Sequence, residues 1–444
     1  MTDILDTGGR PIFQVALDLV NLPRAVQIAR EAVQGGFQWI EAGTPLIKAE
    51  GMEAVRALRR EFPGHVIVAD MKTMDAGTVE VEIAAKAGAK VVFILGVADD
   101  SSVREAVRAG KKYGALIAAD LIETGDYVGR AVELEKMGVD IICIHVGLDQ
   151  QVLGVDPIEI VRRVSDALGP TTKVAAAGGL TSETAVKARE AGADVIIVGA
   201  ALYKSPDVEA TARKIIAAVE SGVPIKTDVN KKYREEELHE AFLRVSSCNV
   251  SDAMHRKGEM KGLYPVWVDE ERPLKLVGRA VTVRAYNGDW SKTVEAIDLA
   301  GPGDVIVIDA CGGDKAVWGE LASWSCRSKG VEGVIIDGAI RDVDDIRKMR
   351  FPAFAKHVTP TAGEPRGLGE INVQIECGGQ KVEPGDWIVA DDSGIVVVPK
   401  EKAMEMANRA IDVHEKEDRV REEIKRGATL SQVLRLKHWE KVVG

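Results

Sequence analysis

A chain of 444 residues is too long for one ordinary hydrophobic core, which points to two domains or to a large barrel with an appendage. With 46% hydrophobic and 29% charged residues it has the composition of a soluble globular protein, and a formal charge of -11 with no concentrated basic stretch excludes nucleic acid as its principal partner. Five scattered cysteines (Cys143, Cys248, Cys311, Cys326, Cys377) contain no C-x-x-C pair, which argues against a zinc knuckle or a disulfide framework. No apolar signal core or membrane-length apolar run is present, so the expectation is a cytoplasmic protein with no membrane partner.

From residue 12 to about 222, short β-rich runs alternate with amphipathic helical stretches such as 21–34 and 102–112. The runs fall at 13–17, 38–40, 66–69, 91–95, 115–119, 141–144, 174–176 and 195–198, and eight β/α units predict a TIM (β/α)8 barrel. A doubly wound sheet would stop nearer about six strands. Asp18, Glu41, Asp70, Asp120 and His145 each close such a run, which places them on the catalytic rim of a barrel. Each alone is compatible with a helix cap or a satisfied rim residue; together they converge on one mouth. In an extended strand Lys72 shares a face with Asp70, and Asp75 follows as the chain leaves the strand. Burying such a triplet costs several kcal/mol per ion unless the charges are paired, bind a metal or serve a substrate. Gly178-Gly179 after the seventh run and Gly199-Ala200 after the eighth occupy the loops that usually cradle a phosphate in this fold.

The barrel is expected to span residues 1–222, followed by a polar linker at 223–236. A smaller α/β domain is expected at 237–425, with β pairs at 276–286 and 387–398 and a hairpin signal at Asp391-Asp392-Ser393-Gly394. A helical tail at 426–444 has an apolar subset including Val433, Leu434, Leu436, Trp439 and Val442, which suits docking onto its own chain or a neighbour.

Residues 12–220 resemble 3-hexulose-6-phosphate synthase, in the orotidine monophosphate decarboxylase superfamily. The resemblance rests on Val15-Ala16-Leu17-Asp18, Ile40-Glu41-Ala42-Gly43-Thr44-Pro45, Ala69-Asp70-Met71-Lys72-Thr73-Met74-Asp75, Asp120-Leu121-Ile122, His145-Val146-Gly147-Leu148-Asp149-Gln150 and Ala177-Gly178-Gly179. It implies a magnesium- or manganese-dependent aldol reaction joining formaldehyde to ribulose 5-phosphate, or releasing formaldehyde in reverse. It implies Glu41 and Asp70 as metal ligands and Asp18, Lys72, Asp120 and His145 as catalytic residues. Asp75 is implied to reach across a dimer interface. The related 3-keto-L-gulonate-6-phosphate decarboxylase is the alternative; it carries an arginine shortly after the histidine, where this chain has Gly147-Leu148-Asp149-Gln150-Gln151.

The second domain resembles the family of regulator of ribonuclease activity A, which includes 4-hydroxy-4-methyl-2-oxoglutarate aldolase. Pro302-Gly303-Asp304, Trp318-Gly319-Glu320-Leu321, Asp337-Gly338-Ala339-Ile340-Arg341-Asp342 and Pro384-Gly385-Asp386 carry it. Enzymatic members have an acid twenty residues before an Arg-Asp pair; here Glu320 precedes Arg341-Asp342 at that spacing. The resemblance implies a divalent metal on Asp342, a 2-oxo acid carboxylate on Arg341 and on the backbone of Gly319, Glu320 and Leu321, and a trimer. The alternative is a non-catalytic module that regulates a ribonuclease.

Overall fold

The computed structural model describes residues 4–145, 157–269, 271 and 273–434. The expected tail contacts of Leu436, Trp439 and Val442, and the motif residues 146–151 after His145, lie outside them.

Eight strands pair in order and in parallel: β1 (Ile12–Leu17), β2 (Trp39–Ala42), β3 (Val66–Thr73), β4 (Val91–Leu95), β5 (Leu116–Asp120), β6 (Ile141–His145), β7 (Lys173–Ala177) and β8 (Val195–Val198). β8 closes onto β1 with Phe13 opposite Ile196, which makes a closed barrel. Alternation along each strand divides the side chains. Phe13, Val15 and Leu17 pack outward against the helices, while Ile12 and Ala16 join Trp39, Val68 and Phe93 inside. The helix Leu22–Gln34 shows how the outer ring is specified. Asn21 accepts from the Arg24 amide as its cap, Pro23 stands in the first turn, and Ala25, Ile28, Ala29 and Ala32 form the buried stripe. Gly35 ends it, where a Cβ would fall 2.4 Å from Ala212 of the neighbouring helix.

The third strand is longer than its apolar run. β3 continues through Asp70 and Lys72 to Thr73, with a register shift against β4 between Asp70 and Thr73. The ionisable segment is therefore part of the sheet, and Lys72 takes a left-handed φ of 51° within the irregularity.

The described residues divide into two compact units. One takes the chain to Lys231 and again from Glu422; the other is Lys232–Arg421. The second unit is built on β9 (Glu259–Met260), β10 (Tyr264–Pro265), β11 (Lys275–Arg284), β12 (Asp304–Asp309), β13 (Ala316–Trp318), β14 (Gly333–Ile340), β15 (Ala353–Val358), β16 (Glu370–Ile371), β19 (Trp387–Asp391) and β20 (Gly394–Val398). They form one mixed sheet in the order β10-β15-β14-β12-β11-β19-β20-β9, with β13 on β14 and β16 on β11. β17 (Ile375–Cys377) and β18 (Gln380–Val382) make a separate hairpin.

The expected hairpin at 387–398 is present, with Asp391 opposite Gly394. The expected β pair at 276–286 is instead the single ten-residue strand β11, parallel to β12 and antiparallel to β19. Its Gly278 is not a turn. A Cβ there would lie 2.8 Å from the Gly303 carbonyl oxygen, so this glycine serves close strand packing. The helix Ala403–Lys425 precedes the expected tail, and within the tail the helix Leu430–Leu434 is described and contains Val433 and Leu434.

Candidate active sites

The inward-facing positions at the strand ends bring Asp18, Glu41, Asp70, Lys72, Asp120 and His145 into the barrel mouth. Lys72 is the hub: its Nζ donates to Asp70 Oδ1 and Oδ2 at 2.9 and 2.8 Å and to Asp120 Oδ2 at 2.7 Å. The same Asp120 oxygen lies 3.0 Å from His145 Nδ1, and Asp120 Oδ1 accepts from the Ile122 amide at 2.9 Å. Thr44 donates to the Asp70 carboxylate at 2.8 Å and to its carbonyl at 2.9 Å. Gln14 Nε2 donates to Glu41 Oε2 at 2.5 Å. Asp18 lies against Gly43, where a Cβ would come within 2.3 Å of its Oδ1, so the carboxylate needs a glycine at that point.

Burial would raise Asp120, but His145 and Lys72 outweigh it and lower the group, so it is ionised. Burial likewise works against a charged Lys72, yet Asp70 and Asp120 raise it above its ordinary value. A carboxylate facing Nδ1 of His145 favours the tautomer in which that nitrogen carries the proton. Glu41 is raised well above its ordinary value, first by burial and then by Asp70 and Asp18. Asp18 is raised by burial and by Asp70, against Lys72 and His145.

This crowding is the observation that bears on a cation. Asp18, Glu41 and Asp70 crowd one mouth whose lysine is bonded to Asp70 and Asp120, and a hard divalent ion would relieve the repulsion among the three. Among the described residues no group of three or more His, Cys, Asp or Glu side chains is arranged to hold a metal unaided. The donor set fits magnesium nonetheless, because that ion is held through one or two carboxylates and completes its shell with water and substrate oxygens.

On the phosphate side, Gly178 and Gly179 take left-handed φ values of 94° and 70°, and Gly199 caps the short helix Ala200–Tyr203. A Cβ on Gly199 would lie 3.5 Å from Asp18 Oδ2, so this loop borders the acids. Asp75 is not joined to the array. It is exposed in the turn before the helix Gly77–Ala87, beside Met74 and Val79, which are 53% and 58% exposed.

In the second unit the acid and the Arg-Asp pair meet through the backbone. Glu320 opens the helix Glu320–Lys329, and its amide donates to Asp342 Oδ2 at 3.2 Å. Arg341 Nε lies 3.4 Å from the same oxygen, and both side chains are about two-fifths exposed, at 43% and 38%. Asp342 has a left-handed φ of 58° at the start of the helix Val343–Lys348. Asp342 explains the glycine at 319: a Cβ there would stand 2.5 Å from Asp342 Oδ2. Leu321, named for its backbone, leaves its side chain 75% exposed.

Three residues at the barrel mouth escaped the sequence reading. Gln14 lies within a run read as apolar, and its polarity there was the available signal. Thr44 stands inside the quoted Ile40-Glu41-Ala42-Gly43-Thr44-Pro45 stretch, which gives no sign of its contact to Asp70. Tyr127 is raised first by burial and then by Glu123 and Asp120, which places it near the array, but no spacing rule links it to Asp120.

Residues 11–215 match the model of the orotidine 5'-phosphate decarboxylase / HUMPS family, and residues 247–397 match the RraA-like family, described as Aldolase/RraA. The chain is 40% identical over 202 residues to 3-hexulose-6-phosphate synthase of Methylomonas aminofaciens, covering 46% of this chain and 96% of that protein. It is 35% identical over 209 residues to the Bacillus subtilis protein of the same name, covering 47% and 99%. An uncharacterised protein of Methanocaldococcus jannaschii is 45% identical over 181 residues, covering 40% of this chain and 85% of that one. The chain belongs to the 3-hexulose-6-phosphate synthase family of aldehyde-lyases, within the wider orotidine 5'-phosphate decarboxylase / HUMPS family, and carries an RraA-like domain fused behind that barrel.

Proposed function

We propose that the barrel catalyses a reversible, magnesium-dependent aldol condensation of formaldehyde with D-ribulose 5-phosphate to 3-hexulose 6-phosphate, with manganese able to substitute. The observation that supports this most is the run of contacts from Asp70 through Lys72 and Asp120 to His145, beside Glu41 and Asp18. It sets a fixed positive charge and a proton carrier side by side in one mouth. The sugar's phosphate would rest on the Gly178-Gly179 and Gly199-Ala200 loops, where glycines let a ligand come close to the backbone. A cation held by Glu41 and Asp70 would supply a hard positive charge for the two oxygens of an enediolate.

The residues account for the proton traffic. His145 Nε2 takes the proton from C1 of ribulose 5-phosphate, and Lys72 offsets the negative charge that develops on oxygen. The electron pair left on C1 forms the new carbon–carbon bond to formaldehyde, whose C=O π pair moves onto its oxygen. His145 returns the proton there, so atoms and charge balance. The reverse sequence releases formaldehyde and yields ribulose 5-phosphate. Asp75 would complete the site of a second subunit; the exposed Met74, Val79 and Ile83 around it offer an apolar face for that dimer.

For the second domain we propose a divalent metal on Asp342 and a 2-oxo acid on Arg341, serving an aldolase or decarboxylase in a trimer. Arginine's planar fork suits a carboxylate. One observation favours the non-catalytic alternative, a module regulating a ribonuclease: the Glu320 amide assigned to substrate is given to Asp342. Full-length protein incubated with 3-hexulose 6-phosphate and magnesium is expected to release formaldehyde, and EDTA to stop it. No turnover in either direction with magnesium or manganese would sink the barrel assignment.

A further inference from the structure

Gln14 is fully buried on β1, between Trp39 of β2 and Ile197 of β8 in the strand register, inside a barrel lined by Ile12, Ala16, Val68 and Phe93. Its Nε2 is spent on Glu41 Oε2 at 2.5 Å, while its Oε1 has no hydrogen-bond partner among the described residues. A buried amide with an unmet carbonyl is destabilising, and an apolar side chain of the same length would fill the place at no such cost. Fold stability therefore does not account for this residue, and its one contact does. We propose that Gln14 is a positioning residue that holds the Glu41 carboxylate toward the mouth in the orientation that receives the divalent cation, at the expense of barrel stability. The inference rests on Glu41 being a cation ligand. Thr44 does for Asp70 what Gln14 does for Glu41, donating to its carboxylate from the adjacent element at 2.8 Å. Each proposed ligand thus has its own outer partner, the arrangement by which proteins orient metal-binding side chains.

The test is manganese binding, read by electron paramagnetic resonance on full-length protein carrying Asp342→Ala, so that only the barrel is observed. Adding Gln14→Met is expected to weaken the manganese Kd by about tenfold or more. Its Tm should equal or exceed that of the parent, because the orphaned carbonyl is gone. A merely structural residue would show the reverse, a lower Tm at unchanged affinity, and that result overturns the proposal. If Gln14→Met folds poorly, Gln14→Asn keeps an amide but withdraws it by one methylene; loss of affinity there supports the proposal and parental affinity overturns it. Glu41→Gln separates the two levels. If it abolishes binding while the Gln14 variants bind as the parent does, the cation reading stands and this inference fails. If Glu41→Gln binds manganese undiminished, both fail.

Discussion

Lys72 sits where a lysine is costly. A left-handed φ of 51° on a residue with a Cβ is disfavoured by about 1–2 kcal/mol, and the ammonium is largely withdrawn from water. Contacts to Asp70 and Asp120 offset both costs and fix the side chain over the mouth. Replacing Lys72 by Ala is expected to lower kcat by about a hundredfold or more, since a fixed charge at a developing oxyanion contributes on that scale. Steady-state formaldehyde consumption measures it; a loss under about tenfold would remove Lys72 from the reaction. At the second site, calorimetry with oxalate and magnesium should show binding by the wild type and its loss in Arg341→Ala. A well-folded wild type that binds no oxalate would favour the interaction-module reading. The sequence showed these charged residues plainly, because ionisable groups at the ends of apolar runs stand out. It did not show Gln14 or Thr44, whose roles depend on which strand lies next to which, nor the irregularity that aims Lys72.

Among the elements, the turn from β11 into the helix Ser291–Leu299 carries a pH-sensitive clamp. Asp289 is 3% exposed and accepts from the Ser291 hydroxyl and amide and from the amides of Arg366 and Leu368. Burial would raise it, but these donors prevail and push it down to about 2. A carboxyl depressed in the folded state stabilises above its unfolded value, near about 4, and that contribution fades as pH falls through the folded one. The wild type should therefore exceed Asp289→Asn in urea midpoint by a constant margin above about pH 4, shrinking toward zero by about pH 2. A margin independent of pH would show that the carboxylate's charge is not what holds this loop. Such clamps are not legible from sequence, because Asp289 and Leu368 are 79 positions apart. The barrel strands were legible, since each is a short apolar run between amphipathic helices. The run at 276–286 proved to be one strand rather than a pair, because its partners β12 and β19 come from distant parts of the chain.

For the whole molecule, the two-fold division of the chain followed from the change in pattern after residue 222, and the closed barrel from the count of its runs. Assembly did not, because an exposed Asp75 has meaning only if a second copy is present. Mixing inactive Asp75→Ala with inactive Lys72→Ala protein should restore part of the activity, as a hybrid dimer contains one site with both residues intact. Verified subunit exchange without recovered turnover would place Asp75 outside the neighbouring site.

The first unit recruits residues from Glu422 onward, after the second is complete. Glu423 lies 3.4 Å from Arg24, and Arg426 lies 3.3 Å from Glu31, both on the barrel's first helix. Neither is a fully exposed pair: Arg24 and Glu423 are half-buried, and only Arg426 of the second pair is well exposed. Their place in time matters more. On the ribosome the barrel's strands are all available long before these partners emerge, the second of them 395 residues after Glu31. Synthesis proceeds at about 5–20 residues per second, so the first helix waits tens of seconds for them. The clasp on the barrel's first helix can therefore be fastened only after the whole second unit has been synthesised.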